Sequence, residues 1–166
     1  MVLTTWEKNL CLPNVLESIK KQQTSFPLEV YIFDDCSSTD PEPIVNTFLP
    51  EANYKRSNKR VGGRQSRAEA IKMVSPDIDI LFFMSSEIIL LEENIIEEAC
   101  KKVELGTVVN IAVKDVPIDP VFYKKFDENA KRCLNRWDTY KGIYSGSTRA
   151  GNWLFAFAQT KKDFYN

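Results

Sequence analysis

Apolar residues recur along most of the chain in two alternating patterns. Short runs of β-branched and aromatic residues predict buried strands, and apolar residues spaced three or four positions apart predict amphipathic helices. After a short apolar start at Val2 and Leu3, strands are predicted at residues 28–33, 79–84, 108–113 and 153–158. Helices are predicted from residue 12 to about 23, from 41 to 49, from 64 to 74 and from about 93 to 104.

The order of these elements predicts an α/β fold. Strands that alternate with helices of about ten to fifteen residues form right-handed βαβ units and therefore a mostly parallel central sheet flanked by helices. In such sheets, ligands bind at the carboxyl ends of the strands. Residues 114–166 carry a weaker pattern, broken by proline and glycine and rich in aromatic residues. We expect them to form a loop-rich segment packed over the sheet.

Composition and charge exclude several classes of function. The 166 residues suit one domain, and 22 basic against 23 acidic residues leave a formal net charge of -1. No overall field therefore favours nucleic acid as a partner. Apolar runs fall short of the ~20 residues that span a membrane, and residues 1–6 lack the basic start of a signal peptide. We expect a soluble, cytoplasmic protein without a transmembrane segment.

The inventory of reactive side chains is also restrictive. The chain contains no histidine, which excludes Ser-His-Asp triads, Cys-His dyads and histidine metal sites within it. The four cysteines are widely spaced and form no C-x-x-C pair, so we expect free thiols rather than a zinc site or a disulfide framework. Carboxylates, lysines, arginines and hydroxyls remain for any chemistry.

The first polar cluster, residues 34–40, follows a predicted strand directly. Asp34 and Asp35 place two carboxylates at the strand end, and hydroxyl residues follow them at the start of the next helix. A carboxylate there can accept a hydrogen bond from a nucleobase or from a ribose hydroxyl. The same pattern also suits a strand-end aspartate that caps a helix and shapes a turn.

Two further clusters follow along the chain. Gly62 and Gly63 precede Arg64 and Arg67, and a helix start with arginines attracts phosphate, although a solvated basic helix start fits equally well. The third cluster is Ser85-Ser86-Glu87, at the end of the central strand. Its one carboxylate can hold Mg²⁺ or Mn²⁺ beside phosphates, or the segment is a simple polar turn.

Taken in order, these clusters resemble the motifs of the family 2 glycosyltransferases. Residues 4–9 match the Pro-Thr-Tyr-Asn segment, and residues 12–24 resemble the L-x-x-x-L-x-S-I-x-x-Q-T helix. Residues 34–40 resemble the D-D-x-S-x-D base-binding motif, and residues 62–68 resemble G-G-x-x-x-A-R-N. Residues 151–166 are similar to the stretch before G-G-F-D-E.

The resemblance implies a GT-A fold that binds a nucleotide-diphosphate sugar. A single domain would span residues 1–166, with a nucleotide-sugar-binding half at 1–113 and an acceptor-side, loop-rich half at 114–166. Truncation of this second half is compatible with the resemblance. Its implied binding residues are Thr4, Thr5, Glu7, Asp34, Asp35, Gly63, Arg64, Arg67, Ser85 and Ser86, with Glu87 as the metal ligand. Among these, Asp35 or Asp34 would hold the base, and Arg67 would face the pyrophosphate.

The implied activity is hexosyl transfer of the inverting type. A UDP- or GDP-sugar would be the donor, Mn²⁺ or Mg²⁺ the cofactor, and a hydroxyl of a glycan or another molecule the acceptor. The acceptor is expected against the aromatic side chains of residues 137–153, which suit core and lid packing as well.

Two departures from the family pattern favour an alternative. The chain has Ser85-Ser86-Glu87 where the family has D-x-D, so metal binding is expected to be weaker or the pyrophosphate to be met without metal. The family's general base would lie beyond Asn166, unless Asp115, Asp119 or another acid substitutes for it. The alternative is a non-catalytic GT-A-like binding module, or an inactive or partial glycosyltransferase whose base comes from another chain or from an extension.

Overall fold

Six strands and five helices make up the part of the chain that the computed structural model describes, residues 1–111 and 156–164. The strands are β1 (Val2–Thr5), β2 (Tyr31–Asp34), β3 (Asn53–Arg56), β4 (Ile80–Ser85), β5 (Val108–Asn110) and β6 (Ala156–Thr160). The helices are α1 (Leu12–Lys20), α2 (Glu42–Phe48), α3 (Gly63–Ile71), α4 (Ile95–Lys101) and α5 (Lys161–Phe164).

The strands form one mostly parallel sheet, in the order β3-β2-β1-β4-β6-β5. β1, β2, β3 and β4 run parallel to one another, whereas β6 runs antiparallel to both β4 and β5. The chain moves outward from β1 to β2 and β3, and then returns through α3 to β4 on the other side of β1. The order of the strands therefore reverses between β1 and β4, which is where parallel α/β sheets bind ligands.

Both faces of the sheet are covered, because successive side chains of each strand point to opposite sides. Leu3, Ile32 and Phe82 pack on the side that carries α1, α2 and α4. Val2 and Phe33 pack on the other side, beneath α3. Full burial of each such side chain stabilises the fold by about 1.5–3 kcal/mol. The double cover explains why β2 and β4 appear in the sequence as nearly continuous apolar runs.

The predicted helices are present, with shorter bounds in the structure. α1 ends at Lys20 and not near residue 23, because the backbone N–H of Gln23 donates to the carbonyl of Glu93 at 2.6 Å. The helix predicted at residues 93–104 spans only Ile95–Lys101, and the helix predicted at residues 64–74 spans Gly63–Ile71. Local turns, in which N–H groups bond to carbonyls three residues earlier, replace the last predicted turns of both helices.

The main difference from the sequence prediction is β3 (Asn53–Arg56), where no strand was predicted. Its four residues, NYKR, are polar and largely exposed, so they lack the apolar signal of a strand. The strand forms because its backbone pairs with β2, with Asn53 opposite Tyr31 and Arg56 opposite Asp34. Its charged side chains also suit an edge strand, since they oppose pairing with another chain.

The remaining strand predictions are correct in position and differ in length. β2 starts at Tyr31 and not at residue 28. β6 extends to Thr160. Part of the predicted strands and several predicted site residues lie outside the described residues. They are residues 112–113 and 153–155 of the strands, the aromatic residues 137–153, Asp115 and Asp119. The division into halves at residue 113 stays a prediction.

The described residues also bear on the cysteines and on membrane-spanning helices. Cys11, Cys36 and Cys100 form no disulfide bond among the described residues, and Cys133 lies outside them. Within residues 1–111 and 156–164, no helix combines the length and the apolar character that crossing a membrane requires.

Candidate functional site

The residues that the sequence singled out come together at one edge of the sheet. β1, β2, β3 and β4 are parallel, so their carboxyl ends meet there. Thr5 lies opposite Asp34 in the strand register, and Thr4 lies opposite Ser85. The glycine turn before α3 reaches the same edge, since Asp35 bonds to it. The three clusters of the sequence therefore form one candidate site.

Asp34 holds the loop that follows β2. Its side chain is fully buried and accepts hydrogen bonds from the backbone N–H of Ser37, at 3.1 and 3.3 Å, and from the Ser37 hydroxyl, at 2.5 Å. Nε of Arg56 lies 3.2 Å from its second oxygen. Burial raises the pKa of Asp34, and the bonds from Ser37 and the charge of Arg56 oppose that rise. These contacts favour the turn-forming interpretation of Asp34.

Arg56 is a second anchor of the same loop, and the sequence analysis missed it. Its Nη1 lies 3.2 Å from Asp40 Oδ2, and its Nη2 donates to the Ser37 carbonyl. The Tyr54 hydroxyl donates to Asp40 at 3.0 Å. The pKa of Asp40 is lowered, mainly by the backbone N–H of Glu42 and further by Tyr54 and Arg56. No motif marks Arg56, because its role follows from the pairing of β3 with β2.

Asp35 joins the end of β2 to the glycine turn. One carboxylate oxygen accepts the N–H of Val61 at 2.6 Å, and the other accepts the N–H of Gly62 at 2.8 Å. Gly62 has a φ of 87°, which a residue with a side chain rarely adopts. A carboxylate offers about four acceptor positions, so Asp35 retains capacity for another donor. Gly63 and Arg64, which begin α3 directly after this turn, are exposed.

The segment after β1 packs against both loops. Glu7 accepts from the backbone N–H of Ser38 at 2.5 Å and from its hydroxyl at 2.9 Å. The N–H of Glu7 donates to the Ser37 hydroxyl at 2.9 Å. The Arg60 guanidinium lies over the Trp6 ring, 3.6 Å from its centroid. Neither Trp6 nor Arg60 was among the predicted site residues, although Trp6 falls within the matched segment of residues 4–9.

The end of β4 carries a different set of charges. The backbone N–H of Ile88 bonds to the Ser85 carbonyl at 3.1 Å, which closes a turn with Ser86 and Glu87 at its corners. Glu87 Oε2 lies 4.0 Å from Nζ of Lys8, and both side chains are 18% exposed. Burial lowers the pKa of Arg67, and the charge of Glu87 opposes that effect. Glu87 therefore lies among cations, and Lys8 is a further residue that the sequence analysis missed.

A polar atom at the same edge is without a partner among the described residues. Thr5 Oγ1 is buried there and makes no hydrogen bond to them. Buried polar atoms are nearly always hydrogen-bonded in native proteins. A hydroxyl both donates and accepts, so Thr5 is suited to a polar group of a bound molecule.

The described side chains do not fit a resident divalent metal site. Within residues 1–111 and 156–164, no group of three or more acidic or thiol side chains is placed to hold an ion. Ca²⁺ and Mg²⁺ take six or more oxygen ligands, with carboxylates prominent among them. Ser85-Ser86-Glu87 offers one carboxylate, which already faces Lys8. A metal role for Glu87 stays a prediction without support from its surroundings.

Comparison with known families identifies the kind of protein. The family model described as glycosyl transferase family 2 matches residues 1–162. The chain belongs to this family. No curated protein sequence matches this glycosyltransferase domain significantly.

Solved structures of glycosyltransferases share the fold of this family 2 domain. S. aureus TarS matches with a TM-score of 0.52 at 19% identity, over 70% of this chain and 22% of TarS. TarS 1–349 in complex with UDP gives 0.52 at 20% identity, over 70% of this chain and 37% of that one. The mannosyltransferase PcManGT from Pyrobaculum calidifontis, in complex with GDP-Man and Mn²⁺, matches with a TM-score of 0.57 at 16% identity. The match covers 74% of this chain and 36% of PcManGT. The chain thus spans well under half of these proteins, and the predicted GT-A fold is confirmed.

Proposed function

We propose that this family 2 domain transfers a hexosyl group, with inversion, from a UDP- or GDP-sugar to a hydroxyl of a glycan or another acceptor. The observation that carries the proposal is the junction at Asp35, where the end of β2 and the glycine turn before α3 meet beside the strand-order reversal. Family membership and the UDP and GDP-Man complexes of the structural neighbours support it.

In this proposal the base lies against the ends of β1 and β2. The remaining acceptor positions of Asp35 receive an N–H of the base, and Thr5 Oγ1 receives or donates a further hydrogen bond. Trp6 offers a flat apolar ring beside them, once Arg60 moves from it. Thr4 and Glu7 complete the wall of the nucleotide pocket on the β1 side.

The diphosphate lies between α3 and the end of β4. The N-terminal turn of α3, with Gly63 and Arg64, offers backbone N–H groups to phosphate oxygens. Arg67 adds a charge-assisted hydrogen bond. During transfer, the leaving diphosphate gains negative charge, and cations already fixed beside it lower the barrier. The acceptor oxygen bonds to the anomeric carbon from the opposite side as the bond to the diphosphate oxygen breaks, which inverts that centre. The hydroxyl proton passes to a general base, for which Asp115, Asp119 or another acid is the candidate.

No step of this proposal passes through a metal ion. Mn²⁺ is present in the PcManGT complex, and in this chain a divalent cation would have Glu87, Ser85 and Ser86 as its nearest oxygen groups. Their single carboxylate and its pairing with Lys8 argue against a tightly held ion.

A second candidate function is nucleotide-sugar binding without transfer, by a GT-A-like module or a partial glycosyltransferase. The observation that favours it is Ser85, which stands where the family pattern has the first acid of D-x-D. With fewer carboxylates at the end of β4, the site loses a ligand for a cation that would offset the charge of the leaving diphosphate.

Calorimetric titration with UDP, GDP, UDP-GlcNAc and GDP-mannose tests the proposal. We expect one nucleotide to bind and Asp35→Asn to weaken that binding at least about tenfold, since a polar group of the base loses its charged acceptor. Asp163→Asn is the matched control. Asp163 also accepts a backbone N–H from a glycine turn, at 2.9 Å from Gly106, but it follows β6 at the opposite edge of the sheet.

The outcomes separate the two candidates. Binding followed by release of free nucleotide in the presence of a mixture of saccharide acceptors supports transfer. Binding of a donor that stays intact with every acceptor supports the non-catalytic module. Failure of all four compounds to bind, or equal weakening by Asp35→Asn and Asp163→Asn, contradicts the proposed pocket.

A further inference from the structure

The loops that follow β1 and β2 stay paired beyond the ends of these strands. The backbone N–H of Asp35 donates to the carbonyl of Thr5 at 2.9 Å. Farther out, the N–H of Glu7 donates to the Ser37 hydroxyl at 2.9 Å, and Ser37 in turn donates to Asp34. The two loops that border the proposed nucleotide pocket are therefore joined to each other directly.

The Glu7 carboxylate adds a side-chain connection between the same loops. One of its oxygens accepts the backbone N–H of Ser38 at 2.5 Å, and the other accepts the Ser38 hydroxyl at 2.9 Å. Hydrogen bonds to an ionised acceptor are about twice as strong as those between neutral groups. We call these two bonds the Glu7–Ser38 clasp. Beyond it, Asn9 Nδ2 donates to the Thr39 carbonyl at 3.0 Å, which continues the pairing.

Each loop contains a residue in an unfavourable backbone conformation beside the clasp. Glu7 has a φ of 53° and Cys36 has a φ of 63°. A residue with a side chain adopts this left-handed region at a cost of about 1–3 kcal/mol, and it does so where surrounding contacts hold it, often at functional sites. The bonds of Glu7 to Ser37 and Ser38 are such contacts. Loss of the clasp would therefore let both loops relax from this arrangement.

The clasp lies between the groups to which the proposed pocket assigns the base. Thr5 and Trp6 directly precede Glu7, and Asp35 lies three residues before Ser38. Because Glu7 and Ser38 are bonded, the loop with Thr5 and Trp6 is held at a fixed spacing from the loop with Asp35. Ordering loops on binding costs affinity, so a spacing that is set beforehand favours a nucleotide that contacts both loops.

We propose that Glu7 is a positioning residue, which acts on the nucleotide through Ser38 by holding the loops after β1 and β2 at the spacing that the base requires. This inference rests on the proposed function, and it names how the pocket of that function is kept in shape. The backbone of Glu7 borders the pocket, whereas its carboxylate serves the clasp.

A clasp and a direct contact predict different results for the same substitutions. If the Glu7 carboxylate contacted the nucleotide, Glu7→Ala and Ser38→Ala would have independent effects, and their losses of affinity would add. If Glu7 acts through Ser38, either substitution breaks the clasp, and the second adds little. Glu7→Gln preserves the clasp, because the amide oxygen accepts the Ser38 N–H and the amide nitrogen donates to the hydroxyl.

The chain contains a second clasp of the same chemistry, which provides matched controls. Glu97 accepts the backbone N–H of Ser25 at 3.0 Å and the Ser25 hydroxyl at 2.8 Å. Ser25 precedes β2 in the chain, whereas Ser38 follows it, so this clasp is on the side of the amino end of β2 and the candidate site is at the carboxyl end. Glu97→Ala and Ser25→Ala therefore remove the same bonds without touching the proposed pocket.

The experiment measures the binding of UDP and GDP by calorimetry and the stability of every variant by urea unfolding. We expect Glu7→Ala and Ser38→Ala each to weaken the binding of one nucleotide about five- to tenfold. The double variant should be weaker than Glu7→Ala by less than about twofold, and Glu7→Gln should stay within about threefold of the wild type. The two control variants should lose stability and bind within about twofold of the wild type.

Several results would overturn the inference and leave the proposed function standing. Additive losses in the double variant, or Glu7→Gln as weak as Glu7→Ala, would assign the carboxylate to the nucleotide itself. Lower stability with unchanged affinity in Glu7→Ala, or an equal loss of affinity in Glu97→Ala, would reduce the clasp to a part of the fold. If Glu7→Ala does not fold, equal affinity of Ser38→Ala and Ser25→Ala overturns the inference. Absence of binding of both nucleotides to the wild type overturns the proposed function, and the inference with it.

Discussion

The ends of β2 and β4 lie at the same edge of the sheet, yet their acids are in opposite situations. At the end of β2, Asp34 and Asp35 are buried, and hydrogen-bond donors of the protein occupy both carboxylates. At the end of β4, Glu87 is partly exposed and faces the cation of Lys8 at 4.0 Å. One strand end is buried and hydrogen-bonded to the loops beside it, and the other carries an ion pair that is partly exposed.

This difference suggests how the site divides its tasks. The carboxylates after β2 fix the loop that follows β2 and the glycine turn before α3 through the protein's own hydrogen bonds. After β1 and β4, Lys8 and Glu87 form a looser contact, an ion pair of 4.0 Å that is partly exposed. Preorganisation of this kind lowers the entropy lost on binding.

The sharpest way to break this comparison is Asp34→Ala. The substitution leaves the Ser37 N–H and the Arg56 guanidinium without their buried acceptor. Removing one member of a buried pair costs about 3–5 kcal/mol, and Arg56 is a third exposed, so we expect a loss of about 2–4 kcal/mol in the free energy of unfolding.

Urea denaturation measures this loss, with Glu87→Gln as the variant from the other strand end. We expect Glu87→Gln to change the unfolding free energy by less than about 0.5 kcal/mol, because partly exposed ion pairs contribute little. Equal losses in the two variants would contradict the division between a buried, hydrogen-bonded end and a partly exposed end.

A smaller effect is expected from Arg60→Gln, which removes the guanidinium stacked on Trp6. Cation–π contacts at exposed sites contribute about 0.5–1 kcal/mol, so the unfolding free energy should fall by that amount. Arg64→Gln, in the next turn of the chain, is the control and should have no measurable effect. A loss as large as that of Asp34→Ala would mean that the stack, and not the carboxylates, holds the β2 side together.

The smallest effect concerns the pH dependence of Asp40. Its pKa is lowered in the folded state, so its stabilising contribution is complete above the pKa of the unfolded chain and is lost as the pH falls through the folded pKa. Asp40→Asn should therefore destabilise the protein at pH 7, by about 0.5 kcal/mol for this largely exposed group, and should not do so once the pH is well below 4. Urea unfolding of both proteins at several pH values tests this, and a constant difference would contradict it.

The sequence predicts the inner strands well because a strand that is buried on both faces appears in the sequence as a nearly continuous apolar run. Within the predicted strands, residues 30–33 and 80–84 are apolar or aromatic without interruption, and the acids and hydroxyls after them mark the strand ends. The family pattern then places the candidate site at these ends. β3 has no such apolar pattern, since residues 53–56 are polar and form a strand only by pairing with the backbone of β2.

The roles of individual acids were not predictable from local pattern either. Asp34 and Asp35 are neighbours in sequence and point to opposite faces of the sheet, so one meets Arg56 and the other meets the turn at Val61. The pairing of Lys8 with Glu87 joins two distant parts of the chain through the neighbouring strands β1 and β4. Such contacts follow from strand order and register, which a single sequence does not specify.

The position of β6 in the sheet has a consequence for how the protein is made. β6 lies between β4 and β5 and is, among the described strands, the last to be synthesised. Until β6 leaves the ribosome, β5 and one edge of β4 lack the described strand with which they pair. Pairing β6 with β5 closes a long loop between the two strands, and loop closure costs conformational entropy. Meanwhile an unpaired strand edge can pair with other chains. The stage of synthesis before residue 156 is therefore when this domain is most exposed to aggregation.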